Sequence, residues 1–161
     1  MSASDASRGV FTLRPMVEGD LDQVAAIEAD WAPTPWSVAT FRNELSIPFS
    51  LARVACPRGS DAVAGYVVRW LVAGEVHLLA LAVDRAERGR GLGGLLLDQL
   101  LSEAHDERIE LVTLEVEATS SIALHLYASR GFEQVRCRPN YYGSGRDAVV
   151  MNRRFGCRDV P

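Results

Sequence analysis

Apolar residues change their spacing several times along this chain, and each change predicts an element. Val10 to Arg14 alternates apolar with polar side chains, the period of a half-buried strand, and Pro15 ends it. Asp20 then offers an N-cap for a helix in which Leu21, Val24, Ile27 and Trp31 share one face. Prolines 33 and 35 forbid helix through Trp36, and Ser37 caps a second, short helix with Val38, Phe41 and Leu45 turned inward. Strand-like runs follow at Leu51–Cys56, Ala62–Val72 and Glu75–Val83, the last two hinged at Ala73-Gly74 and therefore antiparallel neighbours. From Gly91 to about Ala104, leucines 92, 95, 96, 97, 100 and 101 form a broad helical face, and Ile109–Glu117 returns to β character. This reads as a strand-helix-strand crossover. Ser120 and Ser121 cap a further helix through Arg130, Gly131 stops it, and Phe132–Arg136 and Asp147–Asn152 close the chain as strands around a polar loop. The predicted order is β-α-α-β-β-β-α-β-α-β-β.

Within that order one junction carries chemistry. The apolar strand ending Leu81-Ala82-Val83 runs through Asp84 to Glu87 into Arg88-Gly89-Arg90-Gly91-Leu92-Gly93-Gly94, which opens the leucine-rich helix. Glycines there let backbone N–H groups approach a ligand without Cβ interference, and the helix aims its positive dipole end at the same place. The arrangement predicts a cradle for a pyrophosphate. Gly89 to Gly94 also satisfies G-x-G-x-x-G, but a dinucleotide fold places that fingerprint in its first strand-turn-helix, and here roughly half the chain precedes it.

Composition narrows the classes. A length of 161 residues, 48% hydrophobic and 24% charged, suits one domain spanning 1–161, with 1–9 and 155–161 as flexible termini. All seventeen basic residues are arginine, so no lysine can serve as Schiff base, Walker lysine or general base. The net charge of −4 argues against a nucleic-acid partner and favours basic peptides or amines. Cys56, Cys137 and Cys157 lack metal-ligand or disulfide spacing, and His77, His105 and His125 have no ligand pattern either. No metal is expected. Without a long apolar run or an apolar leader, the chain is expected to be soluble, cytoplasmic and without a membrane partner.

The segment Arg88-x-x-Gly91-x-Gly93 resembles the R/Q-x-x-G-x-G/A acetyl-CoA signature of the GCN5-related N-acetyltransferase (GNAT) superfamily, and the element order resembles its fold over nearly the whole chain. Four ordered stretches resemble its bacterial ribosomal-protein-alanine N-acetyltransferases: Pro35-Trp36-Ser37; Leu81-Ala82-Val83 with the glycine turn; Leu114-Glu115-Val116 with Leu126-Tyr127 and Gly131-Phe132; and Asn140-Tyr141-Tyr142 with Asp147 to Met151. The resemblance implies an α+β fold: a mixed sheet of six to seven strands, flanked by four helices, whose fourth and fifth strands splay apart. It implies acetyl-CoA as the cosubstrate, pantetheine bonding the backbone of Leu81, Ala82 and Val83, and pyrophosphate meeting the Gly89–Gly94 amides with Arg88 and Arg90 beside them. Ser120 stands where the family commonly has a cofactor-bonding asparagine.

Catalytic roles follow from the same resemblance. Glu115 is placed as the base and Tyr127 as the acid for the departing thiolate, while Trp36, Asn140, Tyr141 and Tyr142 wall a peptide entrance. A phenol with reference pKa near 10 protonates a thiol-derived anion of about 8.5 only as the C–S bond breaks, so downward tuning of Tyr127 is expected to help. Glu117 is expected to favour a cationic substrate. Exposing the lone pair of a lysine at neutral pH costs roughly 3.5 kcal/mol more than doing so for an α-amine, so one weak base suits N-termini. The expected activity is acetylation of the N-terminal amine, alanine by resemblance, of a ribosomal protein, by a monomer or weak dimer. The alternatives are a small-amine or polyamine acetyltransferase of the same fold and a non-catalytic acetyl-CoA-binding module.

Overall fold

The computed structural model describes residues 9–156. Apart from Gly9, Phe155 and Gly156, the expected flexible termini lie outside those residues, as does Cys157. The elements are β1 (Phe11–Pro15), α1 (Leu21–Trp31), α2 (Val38–Ser46), β2 (Ser50–Pro57), β3 (Gly65–Val72), β4 (Glu75–Val83), α3 (Leu92–Asp106), β5 (Leu111–Glu117), α4 (Ser121–Ser129), β6 (Glu133–Arg138) and β7 (Ala148–Arg154). Short 3₁₀ turns at Glu18–Asp20 and Arg85–Glu87 complete the set. The strands form one mixed sheet of seven in the order β1-β2-β3-β4-β5-β7-β6, within the six to seven expected. Ala62–Ala64, expected in the third of these strands, lie outside it.

Contacts divide the described residues into two compact units, 9–70 with 80–99 and 71–79 with 100–156. In the first, β1, β2 and β3 pair antiparallel in turn, and Phe41 packs edge-on against Tyr66 with centroids 5.3 Å apart. The leucine stripe of α3 buries Leu92, Leu95, Leu96 and Leu97. Gly65 makes this packing possible, because a Cβ there would lie 3.1–3.2 Å from the Ala82 carbonyl oxygen, Leu92 and Leu96. A side chain there would have to push the Ala82 carbonyl and both leucines aside by a few tenths of an ångström.

Three acids inside this unit were not predicted to be buried. Asp20 sits at the start of α1 but makes no cap bond; its carboxylate accepts both Arg14 Nη atoms at 2.7 and 2.8 Å and the Val17 N–H at 2.8 Å. Glu44 takes the inward place expected of Leu45, accepting the Ser50 hydroxyl at 2.7 Å and the Trp70 indole N–H at 2.8 Å. Glu28 accepts from the Tyr66 hydroxyl at 2.9 Å and the Trp36 N–H at 3.2 Å, tying the proline loop to α1. The helical period marked Leu21, Val24, Ile27 and Phe41 correctly as buried, but period alone cannot tell an apolar occupant from a carboxylate with partners. Trp31, also expected on the inward face, is 41% exposed at the end of α1. Ser37 does cap α2, accepting the Thr40 N–H at 3.1 Å.

In the second unit, Ala73 and Gly74 both have positive φ, +52° and +77°, as a two-residue type I′ turn between β3 and β4 requires. β4 pairs parallel with β5 from Glu75–Leu111 to Leu78–Leu114, and the registered pairs stop there although both strands continue. This is the expected splay. β5 keeps β7 as its antiparallel neighbour through Glu117–Ala148, and β6 completes the edge with a bulge between Gln134 and Arg136. Gly131 follows α4 at φ +84°, where an added Cβ would meet Arg153 at 2.9 Å.

The guanidinium of Arg14 and the Val17 N–H hold the Asp20 carboxyl below its ordinary value despite burial. Its contribution to stability is therefore complete above the unfolded pKa near 4 and is lost as pH falls through the lower folded value. Asp20→Ala should lower the unfolding free energy at pH 7 by about 1–3 kcal/mol, measured by urea denaturation, with the difference from wild type shrinking in acid.

Candidate active site

In the first unit the expected cradle is built by glycine backbone. Asp84 opens a 3₁₀ turn by accepting the Ala86 N–H at 3.3 Å, and Gly89 and Gly91 then adopt φ of +76° and +77°. Side chains are strained at such angles, so glycine is required by conformation, and nothing lies within 4 Å of where a Gly89 Cβ would be. The first donor inside α3 is Leu95, bonding the Gly91 carbonyl at 3.0 Å. The N–H groups of Leu92, Gly93 and Gly94 precede it and have no acceptor in the helix, the arrangement that receives anions.

The two arginines of the turn are engaged differently. Arg90 pairs with Glu87 at 2.7 Å and lies 5.4 Å over the Phe11 ring. Arg88 stacks on the Trp31 ring, its guanidinium carbon 3.3 Å from the centroid. At the end of β4, Leu81 and Val83 are half-buried and Ala82 is buried. The Val83 carbonyl accepts the Trp31 indole N–H at 2.8 Å, leaving one lone pair of that oxygen. Trp36 is half-buried, with its ring 5.3 Å from Phe41.

In the second unit the period of two along β5 buries Val112, Leu114 and Val116 and turns Thr113, Glu115 and Glu117 to the other face. Arg138 approaches Glu115 at 3.5 Å, and Arg146 grips Glu117 through two bonds of 2.8 and 3.2 Å. That fork, with Arg146 also donating to the Tyr142 carbonyl at 2.9 Å, fastens the 139–147 loop to the end of β5. It holds Glu117 below the ordinary carboxylate range, and it answers the expectation that Glu117 attracts a cationic substrate: its charge is already matched. Asn140, at φ +56°, spends its side-chain oxygen on the Gly145 N–H at 2.7 Å, so its amide nitrogen is what remains for a ligand. Ser120 occupies the N-cap position of α4, yet its hydroxyl makes no cap bond, contrary to prediction.

Tyr127, Tyr141 and Tyr142 are all raised above the ordinary phenol value, not all for the same reason. Burial, with a smaller contribution from Tyr142, pushes the Tyr127 phenol up to about 12, the opposite of the downward tuning expected. Its ring packs 5.7 Å from Phe132. Burial first, then the charges of Glu115, Tyr141 and Glu117, pushes Tyr142 up to about 12 as well. Tyr141 is turned toward Glu115, and hydrogen bonding to that carboxylate, followed by burial, raises it. Glu115 is thus brought together with Arg138, Tyr141 and Tyr142. The arginines were missed because alternating arginines on an exposed strand and in a polar loop carry no periodic signal.

A glycine turn feeding a helix N-terminus, a parallel pair that stops short, and an acid on the freed end of β5 are the parts of an N-acetyltransferase. A profile described as the acetyltransferase (GNAT) family matches residues 21–132. The chain belongs to that family. The [ribosomal protein bS18]-alanine N-acetyltransferase of Escherichia coli K12 is 32% identical over 146 residues, covering 87% of this chain and 95% of that protein. The crystal structure of the ribosomal-protein-S18-alanine N-acetyltransferase from Escherichia coli matches with a TM-score of 0.82 at 28% identity, covering 94% of this chain and 99% of that one. The N-alpha-acetyltransferase RimI of Mycobacterium tuberculosis is 34% identical over 152 residues, 90% of this chain and 93% of that protein. An uncharacterised Mycobacterium leprae protein is 36% identical over 151 residues, 89% of this chain, which spans only 40% of that relative's length.

Because burial raises Tyr127 and Tyr142, both remain neutral phenols where an ordinary tyrosine ionises near pH 10. A spectrophotometric titration at 295 nm should therefore show no loss of signal change below pH 11 on Tyr127→Phe, and the same for Tyr142→Phe. A reduced change near pH 10 in either variant contradicts the burial seen here.

Proposed function

We propose that this single-domain acetyltransferase transfers an acetyl group from acetyl-CoA to the N-terminal α-amine of a ribosomal protein, alanine being the expected first residue. Glu115 carries the reading: it is a carboxylate on the freed end of β5, flanked by Tyr141 and Tyr142 on a loop suited to lie along a peptide. The support for acetyl-CoA is the donor set. Backbone N–H groups of the Gly89–Gly94 turn and the stacked Arg88 suit a pyrophosphate, and the end of β4 at Leu81–Val83, beyond its registered pairs with β5, suits an amide-bearing arm. The freed Ser120 hydroxyl is a further donor for the same ligand.

The amine nitrogen attacks the thioester carbonyl carbon, the C–N bond forms and the C–S bond breaks. Glu115, directly or through water, takes the proton the nitrogen must lose; Arg138, 3.5 Å away, orients that carboxylate. Tyr127 faces a different demand. Full transfer from a phenol of about 12 to a thiolate of reference pKa 8.5 is uphill by about 5 kcal/mol, so the phenol stabilises the departing sulfur as a hydrogen-bond donor and yields its proton only in concert with C–S cleavage. Trp36, Asn140, Tyr141 and Tyr142 hold the peptide, and both arginine-neutralised acids leave the entrance with little net charge to attract a polyamine. That favours a protein N-terminus over a small polycation. The reaction needs no metal, acts on protein rather than nucleic acid or membrane, and is placed in the cytoplasm, by a monomer or weak dimer.

Intact mass spectrometry after incubation with acetyl-CoA should show one acetyl group added to an alanine-starting ribosomal peptide and none to an N-blocked, lysine-containing control. Modification of the control alone overturns the acceptor. Glu115→Gln should lower kcat about 10²–10⁴-fold while leaving acetyl-CoA affinity intact, and binding without any dependence of rate on Glu115 or Tyr127 would point to the non-catalytic module.

A further inference from the structure

Trp31 is a large aromatic residue at the exposed end of a helix, and the core does not account for it. What accounts for it is the cradle. Its indole N–H donates to the last carbonyl of β4 at 2.8 Å, and its ring face carries the Arg88 guanidinium at 3.3 Å. These two contacts join α1 to both ends of the segment that leaves the sheet and becomes the glycine turn. Among the described residues Arg88 has no carboxylate partner, whereas Arg90, two residues on, is matched by Glu87 at 2.7 Å. Asp30, beside Trp31, is occupied with Arg85 at 4.0 Å.

We propose that Trp31 is a positioning residue for anion recognition: it holds Arg88 flat against its ring so that the N–H edge of the guanidinium is presented to the diphosphate of coenzyme A. The inference rests on the acetyl-CoA reading and adds a residue to it. A guanidinium stacked on an aromatic face keeps its donors free, because they lie in the plane of the group and the ring takes only the face. An arginine side chain otherwise loses considerable rotamer freedom on meeting a ligand, and the stack sets that freedom aside before binding. The indole N–H bond to Val83 fixes where the ring sits, so the strand end and the arginine are placed by one side chain. Phenylalanine could supply the face but not the bond; leucine could supply neither.

The test is titration calorimetry of coenzyme A with wild type, Trp31→Phe, Trp31→Leu, Arg88→Ala and the double variant Trp31→Leu/Arg88→Ala, with steady-state kinetics in parallel. Trp31→Leu and Arg88→Ala should each weaken binding about tenfold, and the double variant no more than about threefold further, because both remove one arrangement. Trp31→Phe should recover most of the affinity, and the losses should appear in KM for acetyl-CoA rather than in kcat. Wild-type affinity in Trp31→Leu overturns the proposal, as do independent losses that multiply to about a hundredfold in the double variant, or a phenylalanine variant as weak as leucine. Absence of coenzyme A binding by the wild-type protein defeats the acetyl-CoA reading itself, a result separate from every variant outcome.

Discussion

A parallel strand pair that stops early is the constraint on which the rest depends. β4 and β5 share registered pairs only to Leu78 and Leu114, after which each strand carries backbone groups that its former neighbour no longer satisfies. Backbone donors and acceptors removed from a ladder must be met by water, a side chain or a ligand. On β4 one such carbonyl, at Val83, is met by the Trp31 indole, and on β5 the far edge stays in register with β7 through Glu117. β5 therefore keeps a registered neighbour on one side through Glu117 while its pairing with β4 ends at Leu114, so Glu115 sits on a strand that is laddered along one edge. A group meant for proton transfer gains from such a regular element, because a loop would fix its geometry less closely.

Charge around that acid is arranged in pairs. Glu115 and Glu117 lie on one face of β5, two residues apart, and two unmatched carboxylates there would oppose each other and draw in any cation. Arg146 matches Glu117 with a fork and at the same time anchors the loop bearing Tyr141 and Tyr142. Arg138 lies near Glu115 at a looser 3.5 Å and also sits 5.5 Å from the Tyr141 ring. The tighter pair fastens the loop, and the looser one shares the Glu115 carboxylate with the Tyr141 hydroxyl.

Much of this was legible before the structure. The helical and strand periods located every element within a few residues, because amphipathic elements around one sheet must show their buried face. The glycine turn was legible because positive φ at Gly89 and Gly91 admits almost nothing else. What could not be read was the partner of each polar group. Nothing in the sequence says that Asp20 forsakes its cap for Arg14, that Glu44 rather than Leu45 turns inward, or that Trp31 leaves the core face for a carbonyl 52 residues away. These choices are decided by atoms brought close only by the fold, and a short-range period contains no term for them. The Tyr127 phenol failed in the same way: its helix position was clear, but the depth of burial that raises it was not.

That raised phenol bears on the acid role proposed for Tyr127. Were Tyr127 near its reference value, it could exchange its proton with solvent and the leaving thiolate with little bias, and some fraction would already be phenolate in alkaline solution. At about 12 it stays neutral across the pH range, around 8, in which an α-amine loses its proton. In the proposed reaction the amine therefore reaches its reactive form well before the phenol loses its proton, and burial, by excluding water, is what keeps the phenol in the protonation state that such a role requires.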